Sequence, residues 1–135
     1  ITMDNGVRTT DIERTIVDCI SDISKAGGID EIVEALDSMP GNTMGFDMVL
    51  KYLDLYNSKQ LYSKAGYLFE SFKDTLNVPD SFLWKVEKRK SDRLCFMDHA
   101  VESNYRKGLD GHRVRRWNLV VPEFMTELLK AERWV

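Results

Sequence analysis

The sequence predicts a predominantly helical α+β domain with a small β element, and three observations lead to that fold class. Apolar residues recur at the spacing of one helix face through most of the first 86 residues. The helical spacing is lost between residues 91 and 121, where short apolar runs typical of strands replace it. The 135 residues, 43% hydrophobic and 30% charged, suffice for one globular domain with its own core. We therefore expect a single domain over residues 1–135, with about six helices.

The first part of the chain predicts a hairpin followed by five helices. Asp4-Asn5-Gly6 suits the tight turn of a β-hairpin over residues 1–10. Thr10 and Glu13 then fit a capping box, and Ser58 is a predicted N-cap. The apolar stripes of the five helices lie within residues 12–23, 29–36, 46–53, 61–76 and 82–86. Breaks between them are predicted at Gly27-Gly28, Pro40-Gly41-Asn42, Asn57-Ser58 and Pro79.

The last part of the chain predicts two strands and a final helix. The strands lie near residues 93–97 and 114–121, with a turn region at 108–111 between them. Alternation along the second strand places Trp117 on the same face as Leu119 and Val121, which predicts that its indole lies in the core. Pro122 suits the first turn of a sixth helix.

Composition narrows the class of protein. No apolar run approaches the length of a membrane span, and no signal peptide is recognisable. Cys19 and Cys95 allow at most one disulfide, so we expect reduced thiols in a cytoplasmic protein. Because the first residue is Ile1 rather than Met, we expect the chain to be part of a longer protein.

Charge is distributed unevenly, although the net charge is only −3. Residues 1–84 carry a net charge of −7, residues 85–116 carry +5, and residues 117–135 carry −1. Cations in the middle segment are suited to neutralising nucleic-acid phosphates, or they form a solvated surface that balances the acidic first half. The cations form two basic clusters: the first is Lys85, Lys88, Arg89, Lys90 and Arg93, and the second is Arg106, Lys107, Arg113, Arg115 and Arg116. The sequence does not tell whether the two clusters converge in space. The residues predicted to contact DNA, here called the candidate cations, are Lys85, Lys88, Arg89, Lys90, Arg93, Arg113, Arg115 and Arg116.

Enzymatic signatures are lacking in the sequence. Arg14 and Asp18 have the i, i+4 spacing of a helical salt bridge, which explains them more simply than a catalytic role with Glu13. Cys95 and His99 have a possible ligand spacing but lack the further ligands that a structural zinc site needs. No phosphate-binding loop, nucleophile elbow or zinc-protease motif occurs. We expect a non-enzymatic protein without a metal or cofactor.

Four short motifs occur in order along the chain: DIERTIVDC at 11–19, AGGIDE at 26–31, KAGYLFE at 64–70 and RWNLVVP at 116–122. Their order and spacing resemble those of the C-terminal domain of AbiEi-type antitoxins, transcriptional regulators of bacterial type IV toxin–antitoxin systems. The chain departs from that pattern at Lys64-Ala65, where the family often has Arg-Leu, and between Asp92 and His112.

The resemblance implies a regulatory rather than a catalytic protein. It implies a winged helix-turn-helix domain preceding Ile1, operator DNA as a ligand of the full-length protein, and neutralisation of a nucleotidyltransferase-like toxin without a stable complex. The motif residues Glu13, Arg14, Thr15 and Asp18 are interpreted as structural. Gly66 lies inside a helical stripe at a cost of about 1 kcal/mol relative to alanine, which predicts close packing at that point.

A second interpretation is a protein-interaction module that dimerises or docks the toxin without contacting DNA. Tyr and Trp are frequent interface anchors, and several lie outside the main apolar stripes. The same side chains are equally suited to completing the core, and the sequence leaves self-association open. These aromatic residues are Tyr52, Tyr62, Tyr67, Trp84 and Trp134.

Overall fold

A computed structural model describes residues 12–41 and 43–125, and within them the protein is mostly helical with a small three-stranded sheet. The helices are α1 (Ile12–Ser21), α2 (Ile29–Ser38), α3 (Phe46–Tyr56), α4 (Lys59–Ser71), α5 (Lys73–Leu76), α6 (Asp80–Arg89) and α7 (His99–Arg106). The strands are β1 (Cys95–Phe96), β2 (His112–Val114) and β3 (Leu119–Val121), and a 3₁₀ helix (Arg115–Trp117) follows β2. The predicted fold class is confirmed.

Helix α4 lies at the centre of the domain and contacts α1, α3, α6, the 3₁₀ helix and the sheet. Its sequence is apolar or small on most sides, as expected for a helix without a solvent face along much of its length. Phe69 of α4 packs edge-on against Phe46 of α3 and Phe82 of α6, with ring centres 5.5 and 5.6 Å away. These aromatic contacts fix α6, the helix that carries the first basic cluster.

The sheet has the strand order β1-β3-β2. β1 and β3 are parallel, with Cys95 opposite Leu119, whereas β2 and β3 are antiparallel, with Val114 opposite Leu119. All three residues of the central strand β3 are buried, as is Cys95. A parallel connection needs a crossover, and α7 lies between β1 and the turn that leads into β2.

Two helix boundaries follow the predicted capping chemistry. The Ser58 hydroxyl accepts a hydrogen bond from the backbone N–H of Leu61 at 3.2 Å, so it caps α4 as expected. Asn57, which ends α3, has φ of +51°, a conformation that asparagine tolerates better than most residues. Asp98 caps α7 in the same way, through the N–H of Val101 at 2.9 Å.

Several predicted elements differ in the structure. The first helix ends at Ser21 rather than at Gly27-Gly28; the Ser21 hydroxyl donates to the Asp18 carbonyl, a local bond that competes with helix continuation. The stripe at 61–76 is divided at Phe72 into α4 and the single turn α5. Helix α7 was not predicted, and it separates β1 from the 108–111 turn.

The predicted strand over 114–121 is wrong in its middle. The chain leaves the strand at Val114, forms the 3₁₀ helix, and re-enters a strand at Leu119. Asn118 makes this possible, because it adopts φ of +52° between the two. The predicted alternation of faces across 114–121 therefore fails, although Trp117 is fully buried as expected.

Other predictions lie outside the described residues. These are the hairpin over 1–10, Thr10 of the capping box, Asn42 and the greater part of the helix after Pro122. Met125 is described, is buried, and donates its N–H to the Pro122 carbonyl at 3.0 Å. Among the described residues, no helix has the length and apolar character needed to cross a membrane.

Candidate nucleic-acid interface

Helix α6 presents part of the basic segment to solvent. Its apolar residues Phe82, Leu83 and Val86 are buried, which fixes the rotation of the helix about its axis. Helical spacing then places Trp84 and Lys88 on the opposite side, where both are exposed. The outer face of α6 is consequently available to a partner.

A direct contact joins the two basic clusters. The Lys90 ammonium group, just after α6, donates a hydrogen bond to the backbone carbonyl of Arg116 in the 3₁₀ helix. Beside it, the side-chain amide of Asn118 donates to the Ser91 carbonyl at 2.9 Å. Ser91 in turn donates its N–H to the Ser63 hydroxyl of α4 at 3.2 Å, and neither serine is exposed. The end of α6 and the 3₁₀ helix therefore form one continuous surface.

Arg116 is held by two carboxylates. Its guanidinium group pairs with Glu70 of α4, and with Glu87 of α6 at 2.9 Å. Glu70 also accepts a hydrogen bond from the indole Nε1 of Trp117 at 2.8 Å. Glu70 thereby fixes two of the three side chains of the 3₁₀ helix, Arg116 and Trp117, and the charge of Arg116 is compensated within the fold.

Gly66 is explained by the indole of Trp117. A side-chain carbon at Gly66 would lie 2.5 Å from the ring carbons Cε3 and Cη2 of Trp117, and closer still to Cζ3. The close packing predicted for this glycine is therefore present, and the group that approaches it is an aromatic ring. The motifs at 64–70 and 116–122 meet at this contact.

The remaining candidate cations differ in how far they are compensated. Arg89 pairs with Asp54 of α3 at 3.1 Å and also donates to the Lys85 carbonyl at 2.9 Å. Lys88 lies over the Trp84 ring, 3.6 Å from its centre. Five candidate cations are exposed and pair with no carboxylate of residues 12–41 or 43–125, namely Lys85, Lys88, Arg93, Arg113 and Arg115.

Not all candidate cations come together. Arg113 lies on β2 opposite Val120, whereas Arg93 precedes β1 on the other side of β3. Two strands that flank a third are about 10 Å apart, so the two arginines lie towards opposite edges of the sheet. The structure unites α6, Lys90 and the 3₁₀ helix, and it places Arg113 at the far edge of the sheet. We call the cations of the united part, together with Arg93, the basic surface. They are Lys85, Lys88, Arg89, Lys90, Arg93, Arg115 and Arg116.

The residues considered for catalysis do not share a site, because each contacts different groups. Glu13 is buried, and its Oε2 accepts the backbone N–H of Gly45 at 2.8 Å. Asp18 accepts the Tyr56 hydroxyl and lies 3.9 Å from the Arg14 Nε, consistent with the predicted salt bridge. Thr15 is exposed on α1. No His, Cys, Asp and Glu side chains among the described residues form a group able to hold a metal ion.

The aromatic candidates for an interface divide into three groups. Tyr62 and Tyr67 are buried and complete the core, and Tyr52 is half-buried against it. Trp84 is 56% exposed. Trp134 lies outside the described residues.

A polar groove that the sequence did not predict lies between the end of α1, α4 and the start of α7. It has a volume of about 320 Å³, and Lys64, Asp98 and His99 are among the residues that line it. Burial lowers the pKa of Lys64, although the carboxylate of Asp98 acts in the opposite direction. The sequence pattern gives Lys64 the spacing of a surface residue, because the pattern does not show that β1 packs beside α4. Sequence patterns therefore do not find this groove.

Comparison with protein families, with characterised proteins and with solved structures finds no match to this chain.

Proposed function

We propose that this chain is a non-enzymatic, cytoplasmic regulatory domain of an AbiEi-type antitoxin, in which the basic surface supports binding of operator DNA. The observation that carries the proposal is the hydrogen bond between Lys90 and the Arg116 carbonyl, which joins two basic clusters that are far apart in sequence. Toxin neutralisation would proceed without a stable complex, as the resemblance implies.

The electrostatics support phosphate binding at this surface. Lys85, Arg93 and Arg115 are exposed, and their charges are not compensated by the described carboxylates. Each cation that neutralises a phosphate releases a condensed counterion, so uncompensated cations contribute most to binding at low salt. Arg116 instead orients the 3₁₀ helix through Glu70 and Glu87.

The motif residues that carry the resemblance are compatible with a regulatory domain. Glu13, Gly66 and Trp117 make contacts inside the fold, with Gly45, Trp117 and Glu70 respectively. None of the three is free to act on a substrate. Their roles support a scaffold that presents a binding surface.

The experiment is fluorescence anisotropy of this chain with a labelled DNA duplex, in a salt series from about 50 to 200 mM. We expect salt-sensitive binding. Reversal of three uncompensated cations of the basic surface (K85E, R93E, R115E) should weaken it and reduce the slope of log Kobs against log salt by about 0.9 for each lost phosphate contact.

A matched control reverses three exposed lysines outside the basic surface, K25E, K51E and K59E, and so changes the net charge equally. This control should keep most of the salt slope. If both triple variants lose the same affinity for the duplex, the effect is one of net charge alone, which contradicts a specific role of the basic surface. Absence of wild-type binding at low salt would also contradict the proposal.

The alternative, a protein-interaction module, is favoured by one observation. Leu55 and Tyr56 at the end of α3 are 71% and 45% exposed, and with Tyr52 and Arg14 they line a shallow groove of about 300 Å³. Sedimentation at increasing concentration, with and without the toxin, tests it. A wild-type monomer in both runs would remove this alternative, whereas a complex lost in L55E would support it.

A further inference from the structure

Trp84 combines exposure with a basic surrounding. It is 56% exposed on the outer face of α6, whereas large aromatic side chains in solution are normally buried to a greater extent. Lys85 is the next residue and Lys88 lies one helical turn further, and both are exposed. The indole therefore lies among cations of the basic surface rather than in the core.

More than half of Trp84 is exposed, and one cation lies over its ring. The Lys88 Nζ lies 3.6 Å from the ring centre, a cation–π contact that holds the indole against the helix. The described residues provide no other ring or cation over this indole. A flat aromatic face beside cations is the arrangement on which proteins stack unpaired bases while neighbouring side chains contact the phosphates.

From this geometry we propose that the basic surface binds single-stranded nucleic acid, with the exposed part of the Trp84 ring stacked on an unpaired base and with Lys85 and Lys88 at the adjoining phosphates. The inference rests on the proposed function because it uses the same surface. It goes further by adding a second ligand to the operator duplex, an unpaired strand, since a base within an intact duplex is already stacked on both sides and offers no face to an indole.

The charge of the surface selects this ligand over an apolar peptide. An apolar partner that covered Trp84 would also desolvate the exposed Lys85 and Lys88 without supplying counter-charges. A nucleic-acid strand supplies a base for the ring and a phosphate for each cation.

The test measures anisotropy of labelled oligothymidylate, oligouridylate and a DNA duplex, each about 15 nucleotides long, with this chain at about 50 mM salt. W84L should weaken binding of the single strands by about 5- to 100-fold, the equivalent of one stacked base, and should change duplex binding less than about twofold. W84F should fall between W84L and the wild type. F124L is the matched control, because Phe124 is an exposed aromatic residue outside α6, and it should bind like the wild type.

The outcomes separate the inference from the proposed function. If W84L binds the single strands as the wild type does, while the triple reversal of Lys85, Arg93 and Arg115 weakens duplex binding, the stacking is refuted and the proposed function stands. If W84L weakens duplex and single strands equally, stacking on an unpaired base is also refuted. If the wild type binds none of the three probes, both proposals fail. A selective loss of single-strand binding in W84L would support the stacking; tighter wild-type binding of oligouridylate than of oligothymidylate would then identify RNA as the preferred strand, and the reverse order would identify DNA.

Discussion

Substitution of Gly66 by alanine should destabilise the protein, although alanine is the better helix former. In an exposed helix, replacing glycine by alanine gains about 1 kcal/mol. At Gly66 the new methyl carbon would lie 2.5 Å or less from three carbons of the Trp117 ring, compared with an ordinary separation of about 3.5–4.0 Å. The ring is fully buried and hydrogen-bonded to Glu70, so it cannot retreat without loss. Overpacking of this kind costs about 3 kcal/mol, which leaves a net loss of about 2 kcal/mol.

The assay is urea unfolding followed by circular dichroism, with the free energy of unfolding compared between variants. The clashing carbons belong to the six-membered ring of the indole, so W117L removes the obstacle to the methyl group. In the W117L background, G66A should therefore cost less than it does in the wild type, by at least about 1 kcal/mol in a double-mutant cycle. A gain of about 1 kcal/mol for G66A in the wild type would refute the packing argument.

Substitutions at three further positions test other contacts. E70Q keeps an acceptor for the Trp117 N–H but loses the ion pair with Arg116, so it should lower the free energy of unfolding by about 1 kcal/mol in the same urea assay. E70A also leaves the buried N–H unpaired, so it should lower it by about 2 kcal/mol. K64M should stabilise the protein at neutral pH, because burial lowers the pKa of Lys64 and so penalises its charged form in the folded state. The gain in stability should shrink as the pH rises towards about 10.5, where the lysine loses its charge. A gain that is independent of pH would contradict this. Burial raises the pKa of Tyr67 to about 12, so the unfolded chain ionises first and stability falls between pH 10 and 12. Y67F should remove a loss on the order of 2 kcal/mol from that range in alkaline unfolding curves, and a Y67F curve parallel to that of the wild type would count against it.

Most of the helical part of the fold was predictable because most helices carry their own signal. Apolar spacing found α2, α3 and α6, and Ser58 marked the start of α4 through a bond to its own helix. Such contacts span only a few residues, so they are visible in the sequence. The same reasoning failed where local signals conflict, as at Ser21, whose hydroxyl bond to the Asp18 carbonyl accompanies the early end of α1.

The region from 91 to 121 was not predictable in the same way, because its structure depends on distant partners. The 3₁₀ helix interrupts an apparently continuous strand, and the groups that hold it are Glu70 and Glu87 on two different helices. The crossover helix α7 has few apolar residues, with Val101 alone buried, so it has no stripe to reveal it. Gly66 was the only local sign of this packing, and it did not identify the ring that approaches it.

The basic surface illustrates the same limit for the candidate site and sets a final prediction. All eight candidate cations count equally in the sequence. In the structure, however, Arg116 pairs with Glu70, 46 positions away, and Arg89 pairs with Asp54, 35 positions away. If only the four exposed cations of the basic surface that pair with no carboxylate (Lys85, Lys88, Arg93 and Arg115) neutralise phosphates of a duplex, the salt slope should be about −3.6, whereas eight contacts would give about −7.2. A measured slope near the larger value would mean that Arg89 and Arg116 exchange their carboxylates for phosphates when DNA binds. The role of Glu70 argues against that exchange. Glu70 accepts the hydrogen bond of the Trp117 indole, and release of Arg116 would leave its carboxylate without a neutralising charge.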